Sequence, residues 1–241
     1  MKVVAVIPSR YGSTRFPGKP LAKILDKPMI QHVYERVKLS QRIDEIIVAT
    51  DSIEISAVVQ GFGGKCLLTS SKHDSGSERL GEVSENIDGD IFVNIQGDEP
   101  LIDPNTIDEI VETALNNLDC VITAKVKIVN EEDADDPNIV KVVDDCNKNA
   151  LYFSRSKIPF NRDGIKIEYY KHLGIYSYPK KILQEYISLS KAKIESSESL
   201  EQLRLLYNGY KIKVVETKCD AVGVDVQGDI KKVEAIIIGG N

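Results

Sequence analysis

Val3-Val4-Ala5-Val6-Ile7-Pro8-Ser9-Arg10-Tyr11-Gly12-Ser13-Thr14-Arg15-Phe16-Pro17-Gly18-Lys19-Pro20 joins an apolar run to a polar loop. The run reads as a first strand, and the amphipathic segment that begins near Pro28 reads as a first helix. The loop between them lies where open α/β sheets place their ligands. It carries three cations, Arg10, Arg15 and Lys19. Gly12 and Gly18 let backbone N–H groups approach an anion closely, and Ser13 and Thr14 add hydroxyls. Its prolines stiffen it. Neither G-x-x-x-x-G-K-S/T nor G-x-G-x-x-G is present. The loop is longer than either of those and brings its own cations. That favours a triphosphate held by side chains and backbone together over an ordinary basic loop.

Outward from this loop, the chain alternates strand and helix. Residues 2–7 form strand one, and Pro28 to Leu39 a helix with Ile30, Val33, Tyr34 and Val37 on one face. Glu45–Ala49 is strand two, followed by a short helix to Gln60 capped by Asp51 or Ser52, and Lys65–Leu68 is strand three. After the polar loop Thr69–Ser77, a helix runs from about Glu78 to Val83, and Ile91–Ile95 is strand four. Thr106–Leu115 is the next helix. Such a series predicts an α/β fold, a mostly parallel sheet with helices on both faces.

After Asp119 the pattern changes. Cys120–Val129 is β-prone, Asn130–Pro137 is an acidic loop, and Ile139–Val143 with Ala150–Phe153 reads as a hairpin. Tyr170–Tyr178 returns to strand, Pro179 starts a helix to about Ile187, and Ser197–Leu206 reads as one helix. Lys211–Val215 is a late strand, and a last helix covers roughly Ile230–Ile237. The expected organisation is a single α/β domain over residues 1–241. Residues 125–170 form an antiparallel excursion within it that covers the site, forms a dimer interface, or both.

Composition narrows the function. The chain has 241 residues, 42% of them apolar, and a net charge of −6 from 31 basic and 37 acidic groups. A mildly acidic chain without a basic stripe argues against bulk nucleic-acid binding. No apolar run approaches the roughly 18 residues of a membrane span, so no membrane insertion is expected and the cytoplasm is the default. The four cysteines are widely spaced without a C-x-x-C, and the three histidines lack metal-ligand spacing, which disfavours zinc.

Arg10 and Lys19 are the leading triphosphate contacts, since an Arg fork matches phosphate oxygens and Lys acts as a point charge. Phosphoryl chemistry usually also uses Mg²⁺, for which one or two carboxylates suffice. Asp98 follows strand four, on the ligand side of the sheet, and Asp225 lies in a Gly-Val-Asp turn before the last helix. Glu195, Glu198, Glu201 and Gln202 recur at about three-residue steps and would share a helix face. That face is either solvated or, through Glu201 and Gln202, reads the hydroxyls of a polyol.

Several further stretches complete the set: His73-Asp74-Ser75-Gly76-Ser77-Glu78-Arg79, Val93–Pro100, Ala150–Pro159, Lys171–Tyr178 and Leu200-Glu201-Gln202-Leu203-Arg204. With the opening loop, in this order, they resemble the CMP-Kdo synthetases, the 3-deoxy-manno-octulosonate cytidylyltransferases of Gram-negative bacteria. The resemblance runs from residue 2 to about 237. It implies that CTP and a 3-deoxy-2-keto sugar acid give a CMP-sugar and pyrophosphate, by direct attack of the anomeric 2-hydroxyl on the α-phosphate. It also implies that Arg10, Ser13 and Lys19 contact CTP and that Asp98 and Asp225 hold Mg²⁺. Arg79, Gln96, Arg155, His172, Glu201 and Gln202 would bind the sugar acid, and the protein would be a homodimer through the excursion. Where the family continues Gly-Val-Asp with Thr-Pro-Glu-Asp, this chain has Val226-Gln227-Gly228-Asp229. That departure bears on the setting of Asp225 and is compatible with a variant sugar. The alternatives are a cytidylyltransferase for 8-amino-Kdo or a sialic-acid-like nonulosonate, and a non-catalytic nucleotide-sugar-binding protein. Retention of Arg10, Lys19, Asp98 and Asp225 together speaks against the last. The sequence leaves open whether the product serves lipopolysaccharide or capsule synthesis.

Overall fold

The structure is a computed structural model that describes residues 1–12, 16–73 and 75–239. Ser13 and Arg15 of the opening loop therefore lie outside the described residues. Strand β1 (Val3–Pro8) is buried along nearly all its length. Val3, Ala5 and Ile7 enter one core and Val4 and Val6 another, as the two-residue period of a strand requires. Burial on both faces is why its sequence is continuously apolar instead of alternating.

After β1 come a 3₁₀ turn (Lys19–Leu21) and a short hairpin, β2 (Lys23–Ile24) and β3 (Lys27–Pro28). There follow α1 (Met29–Val37), β4 (Glu45–Thr50), α2 (Ile53–Gly61), β5 (Cys66–Leu68), α3 (Gly76–Asn86), β6 (Ile91–Asn94) and α4 (Pro104–Leu115). Ser52, Ser75 and Asp103 cap α2, α3 and α4 by accepting from the amides of Ile55, Glu78 and Thr106. The second half holds β7 (Val121–Lys127), α5 (Glu131–Asp135), β8 (Lys141–Asp144), β9 (Ala150–Ser154) and β10 (Tyr170–Pro179). It ends with α6 (Lys180–Ser188), α7 (Lys193–Glu198), α8 (Gln202–Tyr207), β11 (Ile212–Thr217) and α9 (Asp229–Gly239).

The main sheet runs β11-β7-β10-β6-β1-β4-β5. β1 is parallel to both β4 and β6, β4 to β5, and β7 to β11. β10 alone in this row is antiparallel, to β6 on one side and β7 on the other. Helices α1, α2 and α4 bury Ile30, Val33, Ile55, Val59, Ile107 and Ile110 on one face. Helices α3, α6 and α8 bury Leu80, Val83, Leu183, Tyr186 and Leu203 on the other. The expected antiparallel excursion is present, and it stays in the sheet: β8 pairs with β9 and joins β10 through Lys171 and Lys141.

Two segments differ from the sequence reading. The acidic stretch taken as loop contains α5, whose cap Asn130 accepts from the amide of Glu132. Glu131, Glu132 and Asp133 occupy its first turn, where the positive end of the helix dipole favours them. The stretch taken as one helix over 197–206 is two, α7 and α8, broken at Ser199, which has φ 52°. Glu195, Glu198, Glu201 and Gln202 therefore do not share a helix face. The apolar period hid the break, because the buried Leu200 and Leu203 keep helical spacing directly after it.

The carboxyl ends of β1 and β6 pack backbone against backbone at Gly97. A Cβ there would lie 2.9 Å from both Pro8 O and Ser9 Oγ. Gly97→Ala is expected to cost about 1–3 kcal/mol through overpacking. A urea denaturation midpoint equal to that of the unaltered protein would show that the two strand ends are looser than described.

Candidate active site

Two adjoining cavities open at the carboxyl ends of β1 and β6. The first, about 280 Å³, is lined by Ser9 and Arg10 after β1, by Lys19, by Gln96–Asp98 after β6, and by Ser75, Gly76 and Arg79 at the start of α3. The N-terminus of α3 thus faces the same space as two cations, an arrangement suited to phosphate. The second, about 360 Å³, is lined by Ser77, Asn94, Asn138, Lys171, His172, Tyr176, Glu201 and Gln202 among others. Gly76, Gln96 and Glu201 line both, so the cavities share a wall.

Lys19 organises the first cavity. Its Nζ donates to Asp98 Oδ2 at 2.5 Å and to the carbonyl of Val224 at 2.8 Å. The Val224 amide in turn donates to the Asp98 carbonyl at 2.9 Å. The two carboxylate-bearing segments, residues 98 and 225, are thereby stapled side by side. Asp229 Oδ2 accepts from the amides of Asp225 and Val226, so the departing sequence before α9 still closes a capped turn. Asp225 does not itself line either cavity. Among the described residues no cluster of three or more His, Cys, Asp or Glu forms a metal cage. Hard oxygens from Asp98 and Asp225 fit a cation that takes one or two carboxylates and completes its shell with water and phosphate. Next to them, burial and the neighbouring Asp98 push the Glu99 carboxyl up to about 8.

In the second cavity, Gln96 Nε2 donates to Gly174 O at 3.0 Å. Gly174 lies where the β7–β10 register shifts, between Leu173 and Tyr176. His172 Nε2 is 2.8 Å from the Tyr176 hydroxyl and 3.1 Å from Thr123 Oγ1. Burial drives its pKa down to about 3, so the ring is neutral. Burial raises the Glu201 carboxyl, against the hydrogen bonds of Ser77 and Ser75.

The two arginines assigned to the sugar acid are otherwise engaged. Arg79 is 3% exposed, and its guanidinium donates to Thr69 Oγ1, the Ser70 carbonyl and Asp51. It lines the first cavity, not the second. Arg155 lines neither. It donates to the carbonyls of Glu198, Pro137 and Ser199 behind the cavity wall. Among the described residues, the cation that does line the second cavity is Lys171, paired with Asp220 at 2.7 Å. Sequence reasoning missed Lys171 as a site residue although it stands beside His172. It also missed Asn94, which is buried two residues before Gln96 and whose Oδ1 has no partner among the described residues.

The profile of the cytidylyltransferase family matches residues 4–212. The chain is 48% identical to the 3-deoxy-manno-octulosonate cytidylyltransferase of Thermodesulfovibrio yellowstonii, over 97% of each. It is 47% identical to an 8-amino-3,8-dideoxy-manno-octulosonate cytidylyltransferase of Shewanella baltica, over 97% of this chain and 98% of the relative. Among solved structures, it resembles a CMP:2-keto-3-deoxy-manno-octonic acid synthetase complexed with CTP, with a TM-score of 0.97, 43% identity and full coverage of both chains.

The neutral His172 makes a pH prediction. Its pKa is lower folded than unfolded, so the unfolded chain binds the extra proton. The stability this provides is full above about pH 6.5 and is lost as pH falls toward 3. Between pH 7 and 5 it amounts to at most about 2 kcal/mol. Urea denaturation at both pH values should show a smaller acid loss in His172→Gln than in the unaltered protein. Equal losses would contradict the neutral ring.

Proposed function

The chain belongs to the cytidylyltransferase family, and we propose that it activates 3-deoxy-manno-octulosonate with CTP to give CMP-Kdo and pyrophosphate. The observation that carries this reading is the pair of cavities meeting at Gly76, Gln96 and Glu201. One is cationic, with a helix N-terminus facing in, and suits a triphosphate. The other is rich in hydroxyls and amides and suits a polyol acid.

The reaction needs no protein nucleophile. The anomeric 2-hydroxyl attacks the α-phosphorus and pyrophosphate leaves. Arg10 and Lys19 hold the phosphates and offset the charge that grows on the leaving group. By the family resemblance, Ser13 joins them on CTP. Gln96 and Glu201, at the shared wall, orient the attacking sugar toward the nucleotide. Lys171 receives the sugar carboxylate, while neutral His172, Tyr176 and Gln202 meet its hydroxyls. Arg79 and Arg155 brace the walls. Asp98 and Asp225 would hold Mg²⁺, which when bound polarises the phosphate and lowers the pKa of the attacking hydroxyl.

The 47% identity to relatives named for the 8-amino acid makes that sugar the second reading. We place the reaction in the cytoplasm, where CTP is made, and the protein as a homodimer. The excursion supports the dimer, because Val129, Leu151, Phe160 and Ile165 are exposed there at 94%, 62%, 86% and 65%. Apolar area of that kind is commonly covered by a partner.

The test is pyrophosphate release from CTP, ATP, GTP or UTP with Kdo, 8-amino-Kdo or sialic acid. Release is expected with CTP and Kdo, falling at least about 10²-fold in Asp98→Ala and in Lys19→Met. Release with another acid alone would move the substrate and keep the chemistry. Absence of release with any pair, despite CTP binding, would leave a nucleotide-binding protein.

A further inference from the structure

Behind the second cavity lies a pair of charges almost wholly removed from water. Glu195 on α7 is 6% exposed and Arg204 on α8 is 3% exposed. Arg204 donates from Nε to Oε2 at 2.9 Å and from Nη2 to Oε1 at 2.5 Å, a two-point fork. Glu195 Oε2 also accepts from the Ala192 amide, closing the start of α7. The guanidinium stands over the Tyr186 ring, with Cζ 4.9 Å from the centroid, and so reaches α6.

The corner between the two helices is bonded to these same residues. The Leu200 amide donates to the Glu195 carbonyl at 3.1 Å, and the Arg204 amide to the Glu201 carbonyl at 3.0 Å. Within the corner, Ser199 adopts φ 52°, a region that costs a non-glycine residue energy unless its surroundings hold it. Glu201 leaves this corner for the shared wall of the cavities, and Gln202 lines the second one. Gln202 Nε2 is buried without a partner among the described residues.

A pair of ions is a costly way to fill this space. Desolvation costs several kcal/mol per ion, and apolar residues of similar volume often pack as well or better. The fork does what apolar packing does not: it sets both the distance and the rotation between two helices. Each has only six residues, too few to be stable alone. We propose that Glu195 and Arg204 are a positioning pair for the sugar half of the site. They hold the corner that presents Glu201 and Gln202, and so govern binding of the sugar acid and not of the nucleotide. Arg10, Lys19 and Asp98 stand on other elements. This rests on the functional reading above.

The experiment compares the unaltered protein with Arg204→Lys, Glu195→Gln and the apolar double variant Glu195→Leu/Arg204→Met. Steady-state kinetics with Kdo and CTP, thermal melting, and amide hydrogen exchange over residues 199–202 are measured for each. Arg204→Lys keeps the charge and loses the fork; it is expected to raise KM for the sugar about tenfold, with KM for CTP within about twofold. Glu195→Gln should do the same. The double variant should melt at or above the unaltered protein, yet keep the raised sugar KM and exchange faster over 199–202. A sugar KM restored in a stable double variant, or KM for CTP rising in step, would make the pair packing alone and overturn the proposal. If the unaltered protein releases no pyrophosphate, the functional reading fails instead. Hydrogen exchange still decides the positioning role, and unchanged exchange over 199–202 in the variants overturns it. Should one variant not fold, the other two distinguish the same outcomes.

Discussion

The contact of the Lys19 ammonium with Asp98 and the Val224 carbonyl is the constraint on which the first cavity depends. It joins the loop after β1, the end of β6 and the turn before α9. A loop rich in cations tends to spread through self-repulsion. One of those cations is instead held against a carboxylate, with its side chain only 15% exposed. The apolar contacts of Val224 with Ile24, Met29 and Val233 support the same junction from behind. Charge and packing together place residue 225 beside Asp98, although α9 lies at the far end of the chain.

The second cavity depends on β10. An all-parallel sheet would carry only one row of strand ends. Placing an antiparallel strand between β6 and β7 brings a different edge of the chain to the same rim. The irregular register at Gly174 lets Gln96 bridge from one strand to the other. Gln96 lines both cavities, so the topology of one strand sets how the two cavities face each other.

Around the second cavity, two cations are held on backbone carbonyls. Lys141, fully buried, donates to the carbonyls of Asp136, Ile139 and Arg155. Arg155 then reaches Glu198, Pro137 and Ser199. These contacts satisfy backbone groups in irregular segments that no sheet or helix would pair. Arg155, expected from the resemblance to meet the sugar acid, lines neither cavity.

Much of the molecule was legible in the residues alone. The apolar runs of β1, β4 and β6, a cap at Asp51 or Ser52, and the α1 face followed from period and local hydrogen bonding. The loop of Arg10 and Lys19 marked the anion side, because cations, glycines and a strand end are local features. Residues that act through distant partners were not legible. Lys171 is a surface lysine until β10 brings it to the cavity. Glu195 and Glu198 look like solvated acids until the break at Ser199 turns them inward, one to Arg204 and the other to Ser154. By itself the sequence determined the alternation of elements and the cations, glycines and hydroxyls that the loop after β1 can offer, since these depend on neighbours along the chain. Only the tertiary structure decided which charges line the cavities and which pair with one another, because a buried charge is defined by what lies across the fold from it.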